Sequence, residues 1–161
     1  MDADPLFVLP EHRDYRLLWD SPCIDTGHPD FFDPDDTRSD MGAFFFDQSK
    51  PLVHYVSPNK REGTPGSMIS VLYTVINCHE EPQEAGWLSK LLLPDGIPWL
   101  WNPLEGPKTG IVPASSILQH TVTYKVPDMW PLGTTSLLSM VGLSPSDIFD
   151  ADTVYFEVVE K

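Results

Sequence analysis

Basic residues are scarce in this chain. Ten Lys and Arg stand against 24 Asp and Glu in 161 residues, a formal net charge of −14. Phosphate binding needs clustered Lys and Arg, so this balance argues against nucleic acid. It argues equally against docking on anionic membranes. No run approaches ~18 apolar residues, so no membrane-inserting helix is expected. Cysteine is limited to Cys23 and Cys78. Neither forms a CxxC pair, which removes a zinc ribbon, while a disulfide between them stays open for a secreted chain. His12, His28, His54, His79 and His120 include no HExxH pair, so a zincin is excluded, and the absence of GxSxG excludes an α/β-hydrolase elbow. Met1-Asp2-Ala3-Asp4 is acidic where a signal peptide is basic, and Leu6–Leu9 is too short for its apolar core.

Proline and glycine are plentiful. Seventeen Pro and ten Gly beside 41% hydrophobic residues point to many short strands rather than helices. After a boundary at Gln48–Pro51, apolar alternation predicts strands at 52–56, 68–77, 87–93, 117–126, 135–141 and 153–159. A short edge strand is expected at 97–101, loops at 77–85 and 106–115, and one helical turn is open to 144–151. His120 falls on the expected buried face of its strand, where a satisfied core histidine is the default. About seven strands with turns every 8–12 residues give an all-β fold: an immunoglobulin-like antiparallel β-sandwich over residues 51–161.

Residues 15–48 read differently. Pro22, Pro29 and Pro34 forbid a regular helix. Gly27 and Gly42 mark positive φ or close backbone approach. Asp25, Asp30, Asp33, Asp35, Asp36 and Asp40 crowd sixteen residues. Asp33-x-Asp35 and Asp36-x-x-x-Asp40 supply hard oxygens at loop spacing, so Asp30, Asp33, Asp35, Asp36 and Asp40 form a candidate calcium site, with His28 beside it. The EF-hand glycine and glutamate are missing. The plainer reading is a set of Asx-turns on a solvated loop.

The order Tyr15-x-Leu17, Ser21-Pro22-Cys23-Ile24-Asp25-x-Gly27, Asp33-Pro34-Asp35-x-Thr37-Arg38-x-Asp40-Met41-Gly42-Ala43-Phe44 resembles the C-terminal end of secreted bacterial right-handed parallel β-helix proteins. The resemblance implies that residues 1–48 are a truncated β-helix cap, and that the rungs carrying any lyase or hydrolase site lie upstream. It also implies a secreted or cell-surface location. Asp36 stands where the family usually has Gly, which makes a left-handed turn there less comfortable. A solenoid needs about three stacked repeats to bury its faces, so the cap is expected to pack on the following domain or on a second chain. Leu6, Phe7, Phe44, Phe45 and Phe46 are the apolar residues expected at that open edge. Landmarks at Asn77, Trp87, Pro94-Asp95-Gly96, Gly106-Pro107, Val126-Pro127, Gly133 and Asp150-x-Asp152 resemble the immunoglobulin-like or fibronectin-like module that follows such β-helices.

Trp87 is assigned to the core. Trp99, Trp101 and Trp130 lie in proline-flanked loops, where aromatic faces suit either packing or the C–H face of a sugar. The functional expectation is a non-catalytic accessory or structural module, with polysaccharide contact through those three tryptophans. The competing expectations are a calcium-assisted hydrolase of an ester, lactone or glycoside using the acidic loop, and an oligomerisation module acting by self-association.

Overall fold

The computed structural model describes residues 3–161. Met1 and Asp2, which open the acidic start of the chain, lie outside the described residues. Ten strands follow in order: β1 Phe7–Leu9, β2 Asp14–Leu17, β3 Val53–Pro58, β4 Glu62–Gly63, β5 Met68–Asn77, β6 Gln83–Leu92, β7 Glu105–Val112, β8 Ser116–Lys125, β9 Gly133–Ser144 and β10 Asp147–Val158. The one helical piece among the described residues is a 3-10 turn at Pro10–His12. β1 and β2 form a hairpin. β3-β5-β8 form one sheet and β4-β10-β9-β6-β7 the other. Pairing is antiparallel except between β10 and the short β4. The two larger sheets stack as a sandwich.

The inner faces build two apolar clusters. One holds Val56, Ile69, Val71, Leu91, Trp130, Leu137 and Val158; the other holds Leu52, Ala85, Val112 and Val141. Strand periodicity sends alternate residues of β5 to the opposite face. An antiparallel sheet often leaves that face wet, yet Thr74 and Ile76 are fully buried. The reason is a third layer. Val8, Leu17 and Phe46 pack on Val53, Tyr55 and Ile76, with Trp19, Cys23, Ile24 and Cys78 around them. Every residue of β3 is therefore buried. Its Val53 and Tyr55 face the N-terminal segment and its Val56 faces the sandwich core.

Phe46, expected among the open-edge residues, is instead 1% exposed and is the largest fully buried side chain. Phe44 and Phe45 do stay exposed, at 52% and 39%. Both cysteines are free and half-buried against this cluster.

Residues 18–52 contain no strand, only an isolated bridge between Phe32 and Arg38. A close approach does occur at Gly27. A Cβ there would stand 2.6 Å from the Ser39 carbonyl oxygen, which the Gly27 N–H reaches at 2.7 Å. Gly42 has more room, its nearest neighbour at 3.7 Å. Asp36 adopts a left-handed φ of 66°, so the missing glycine does not prevent that turn; Asp is one of the few residues that tolerate it.

Four local expectations are corrected. Residues 106–115 mostly form β7, because an edge strand accommodates Pro107 with its missing N–H. β6 begins at Gln83, within the segment read as acidic loop. Residues 144–151 form no helical turn; they close the β9–β10 hairpin. Residues 97–101 form no strand, and only Pro98 makes a bridge, to Leu92.

Candidate functional site

Three carboxylates of the acidic segment, Asp33, Asp35 and Asp40, are spent on its own backbone. Asp33 Oδ2 accepts the Asp40 N–H at 2.8 Å. Asp35 accepts the Thr37 N–H and hydroxyl on one oxygen and the Gln48 N–H on the other. Asp40 accepts the Asp25 N–H and the Phe46 N–H, tying the loop to its buried phenylalanine. Burial, with Asp33 and Asp25 nearby, pushes the Asp40 carboxyl up despite those bonds. Asp30 and Asp36 are exposed. His28 Nδ1 accepts the Asp30 N–H at 3.3 Å and stands 3.9 Å from the Asp30 carboxylate. Among the described residues no three His, Cys, Asp or Glu side chains gather as a metal-holding group.

The tryptophans also separate. Trp130 is 5% exposed, a core residue whose indole N–H donates to Thr135 Oγ1 at 3.0 Å. Its burial corrects its place among surface contacts. Trp99 is half-buried against it, ring centroids 4.5 Å apart. Trp101 alone of the three is exposed, at 73%.

Two sides of the sandwich differ sharply. On one, β3 is a sheet edge with β10 beside it. The outward N–H groups of an edge strand alternate. Here His54 N–H donates to Asp150 Oδ2 and Val56 N–H to Asp152 Oδ2, each at 2.8 Å. Lys50 binds Asp150 at 2.7 Å, and Arg16 binds both Asp152 and Asp14. Arg16 also donates to the Val56 carbonyl and lies 4.3 Å over the Tyr55 ring centroid. Burial pushes the Asp14 carboxyl up, but hydrogen bonds from Arg16 and Ser57 outweigh it and hold the group below the usual carboxylate range. Burial raises the Tyr55 phenol, partly offset by the Arg16 charge.

On the other side, among the described residues β7 pairs only with β6 and β8 only with β5. Between these free edges opens a cleft of about 230 Å³. Its walls include Trp87, Val112, Leu118 and Val122; Glu105, Lys108 and His120 also line it. The inward face of β8 is the expected one, but the cleft leaves it only partly covered. His120 is thus exposed rather than a core histidine. Trp87 is half-buried at this wall.

A polar chain crosses the cleft floor. His54 Nδ1 lies 3.0 Å from the Thr74 carbonyl, and His54 Nε2 lies 2.8 Å from Ser139 Oγ. The Ser89 hydroxyl donates to Ser139 Oγ at 2.8 Å. A carbonyl only accepts, so Nδ1 carries the proton and Nε2 accepts from Ser139. Burial pushes the His54 imidazole down, which keeps it neutral. Ser139 and His54 are within nucleophile–base reach. The ring's other nitrogen meets a carbonyl instead of a carboxylate, and Ser139 is 1% exposed. No sequence motif marks this hydrogen-bond chain. Its sequence signal is a polar residue at an inward position of an apolar strand, as in Val53-His54-Tyr55-Val56.

No protein-family model and no curated protein sequence matches the chain. Among solved structures, the C-terminal domain of wzt aligns with a TM-score of 0.51 at 12% identity, over 70% of this chain and 75% of that one. The Pseudomonas fluorescens alkylpurine DNA glycosylase AlkC aligns at 0.50 and 12% identity, over 68% of this chain and 30% of that one. A CARDB domain from Pyrococcus furiosus aligns at 0.47 and 10% identity, over 68% and 94%. At such identities the likeness concerns the sandwich fold. The chain spans under a third of the AlkC protein and 16% of a β-glucosidase from Listeria innocua. Among the described residues no helix is long and apolar enough to cross a membrane.

Proposed function

We propose that this chain is a non-catalytic accessory module of a secreted or cell-surface bacterial protein, made of an immunoglobulin-like sandwich and a β-helix end segment. The observation that carries the reading is the shared core. Phe46 and Leu17 of the N-terminal segment and Val53 and Ile76 of the sandwich form one buried cluster, and Arg16 ties the same two parts by charge. Such a module holds its neighbours at a fixed angle rather than turning over a substrate. The strand order β3-β5-β8 against β7-β6-β9-β10 supports the immunoglobulin-like description. Asp33, Asp35 and Asp40, committed to backbone N–H groups, support a structural role for the acidic segment. Carbohydrate contact, in this reading, falls to Trp101 beside the exposed Ile97 and Leu100.

The test is a screen for ester, lactone and glycoside hydrolysis in EDTA and in calcium, paired with affinity electrophoresis in polysaccharide gels. No turnover in either buffer, with retardation abolished by Trp101→Ala, is the expected result. Turnover that requires calcium and is lost in Asp35→Asn with Asp40→Asn would overturn the reading in favour of a hydrolase.

A further inference from the structure

We propose that the cleft between β7 and β8 is a binding site for one small, uncharged aromatic molecule bearing a hydroxyl group, of the phenol class. The proposal is independent of the accessory reading and rests on three observations.

The first is size. A cavity of about 230 Å³ exceeds the ~150 Å³ in which a dry apolar site holds benzene. It is too small for a chain-like lipid or a multi-ring ligand, since drug-sized pockets begin near ~300 Å³. The second is the wall. Trp87, Leu118 and Val122 present apolar surface, and the Trp87 ring is backed at 3.5 Å by where a Gly110 Cβ would sit. A flat ring fits between an indole and branched side chains by offset or edge contact.

The third is the direction of the hydrogen bonds. The Thr74 carbonyl accepts from His54, His54 from Ser139, and Ser139 from Ser89. The Ser89 hydrogen is thereby used, and its oxygen keeps lone pairs on a side chain that lines the cleft and is 1% exposed. Tyr73 lines the same cleft, with its hydroxyl 2.9 Å from that of Tyr124. The His54 chain thus ends in an acceptor at the cleft. The ligand that fits brings a donor hydrogen there, which a phenolic hydroxyl supplies and a plain hydrocarbon does not.

The test titrates the full chain with 4-methylphenol and, separately, toluene, followed by side-chain and amide NMR shifts. Saturable shifts at Trp87, Leu118 and Val122 are expected, with 4-methylphenol about fivefold tighter for its one extra hydrogen bond. Ser89→Ala should reduce 4-methylphenol to the toluene level while leaving toluene unchanged. Leu118→Trp, at a position already 44% exposed, should fill the mouth and abolish both. It serves as the folded control if Ser89→Ala destabilises the core. No saturable shift up to the solubility limit, or saturable shifts centred on Trp101, would overturn the site. Equal binding of the two probes, or an unchanged preference in Ser89→Ala, would overturn the role of the hydroxyl.

Discussion

The two edges of this sandwich solve the same problem in opposite ways. At β3 the free edge meets two carboxylates, Asp150 and Asp152, which take the place of a neighbouring strand. Arg16 and Lys50 then neutralise them, and an extra apolar layer seals the outside. At β7 and β8 nothing comparable stands among the described residues, and the sheets part over a polar floor. Closure is therefore a property of particular side chains and not of the strand order. An uncovered strand edge invites pairing. The chain guards one edge with charge and leaves the other lined by His120, Glu105 and Lys108.

The closed edge depends most on Phe46. Phe46→Ala should cost about 3–5 kcal/mol, as for a fully buried aromatic, and strip the apolar layer from β3. Equilibrium denaturation in urea measures it. Arg16→Ala should cost about 2 kcal/mol, less than for a fully buried pair because the groups are 11–20% exposed. It should also change the acid response. The Asp14 carboxyl is held below its unfolded value of 3.8. Its contribution is present above that pH and lost as pH falls through the lower folded value. Melts from pH 5 downward should be flatter in Arg16→Ala.

The cleft floor gives the next effect. Ser139→Ala leaves His54 Nε2 without its donor and should cost about 1–2 kcal/mol. His54 titrates below its ordinary 6.5 in the folded chain. Below that pH the unfolded chain binds more protons, so stability falls as pH drops under 6.5, by up to about 1.4 kcal/mol per pH unit. His54→Gln should remove that slope. The smallest effect belongs to the open wall, where Leu118→Ala should cost only about 0.5 kcal/mol because the residue is largely outside the core.

The sequence made β5 fully legible. Met68–Asn77 is unbroken, β-branched and bounded by turns, and its limits are those expected. β8 was displaced by a single residue at each end. β7 was hidden because Gly106, Pro107 and Gly110 carry turn chemistry that an edge strand also accepts. The outer layer was legible only as a need: a segment rich in Phe and Asp had to pack somewhere. That Phe46 would be the anchor depended on Asp40 reaching its N–H, which spacing alone does not fix. The polar floor depended on β3 and β9 facing each other across the sandwich, a contact spanning 85 residues.

Carboxylates close the β3 edge while the β8 edge stays open, and native-state hydrogen exchange separates the two. The His54 and Val56 amides should exchange only through global unfolding, and the outward amides of β8 orders of magnitude faster. Fast exchange at His54 and Val56, comparable to β8, would contradict that closure.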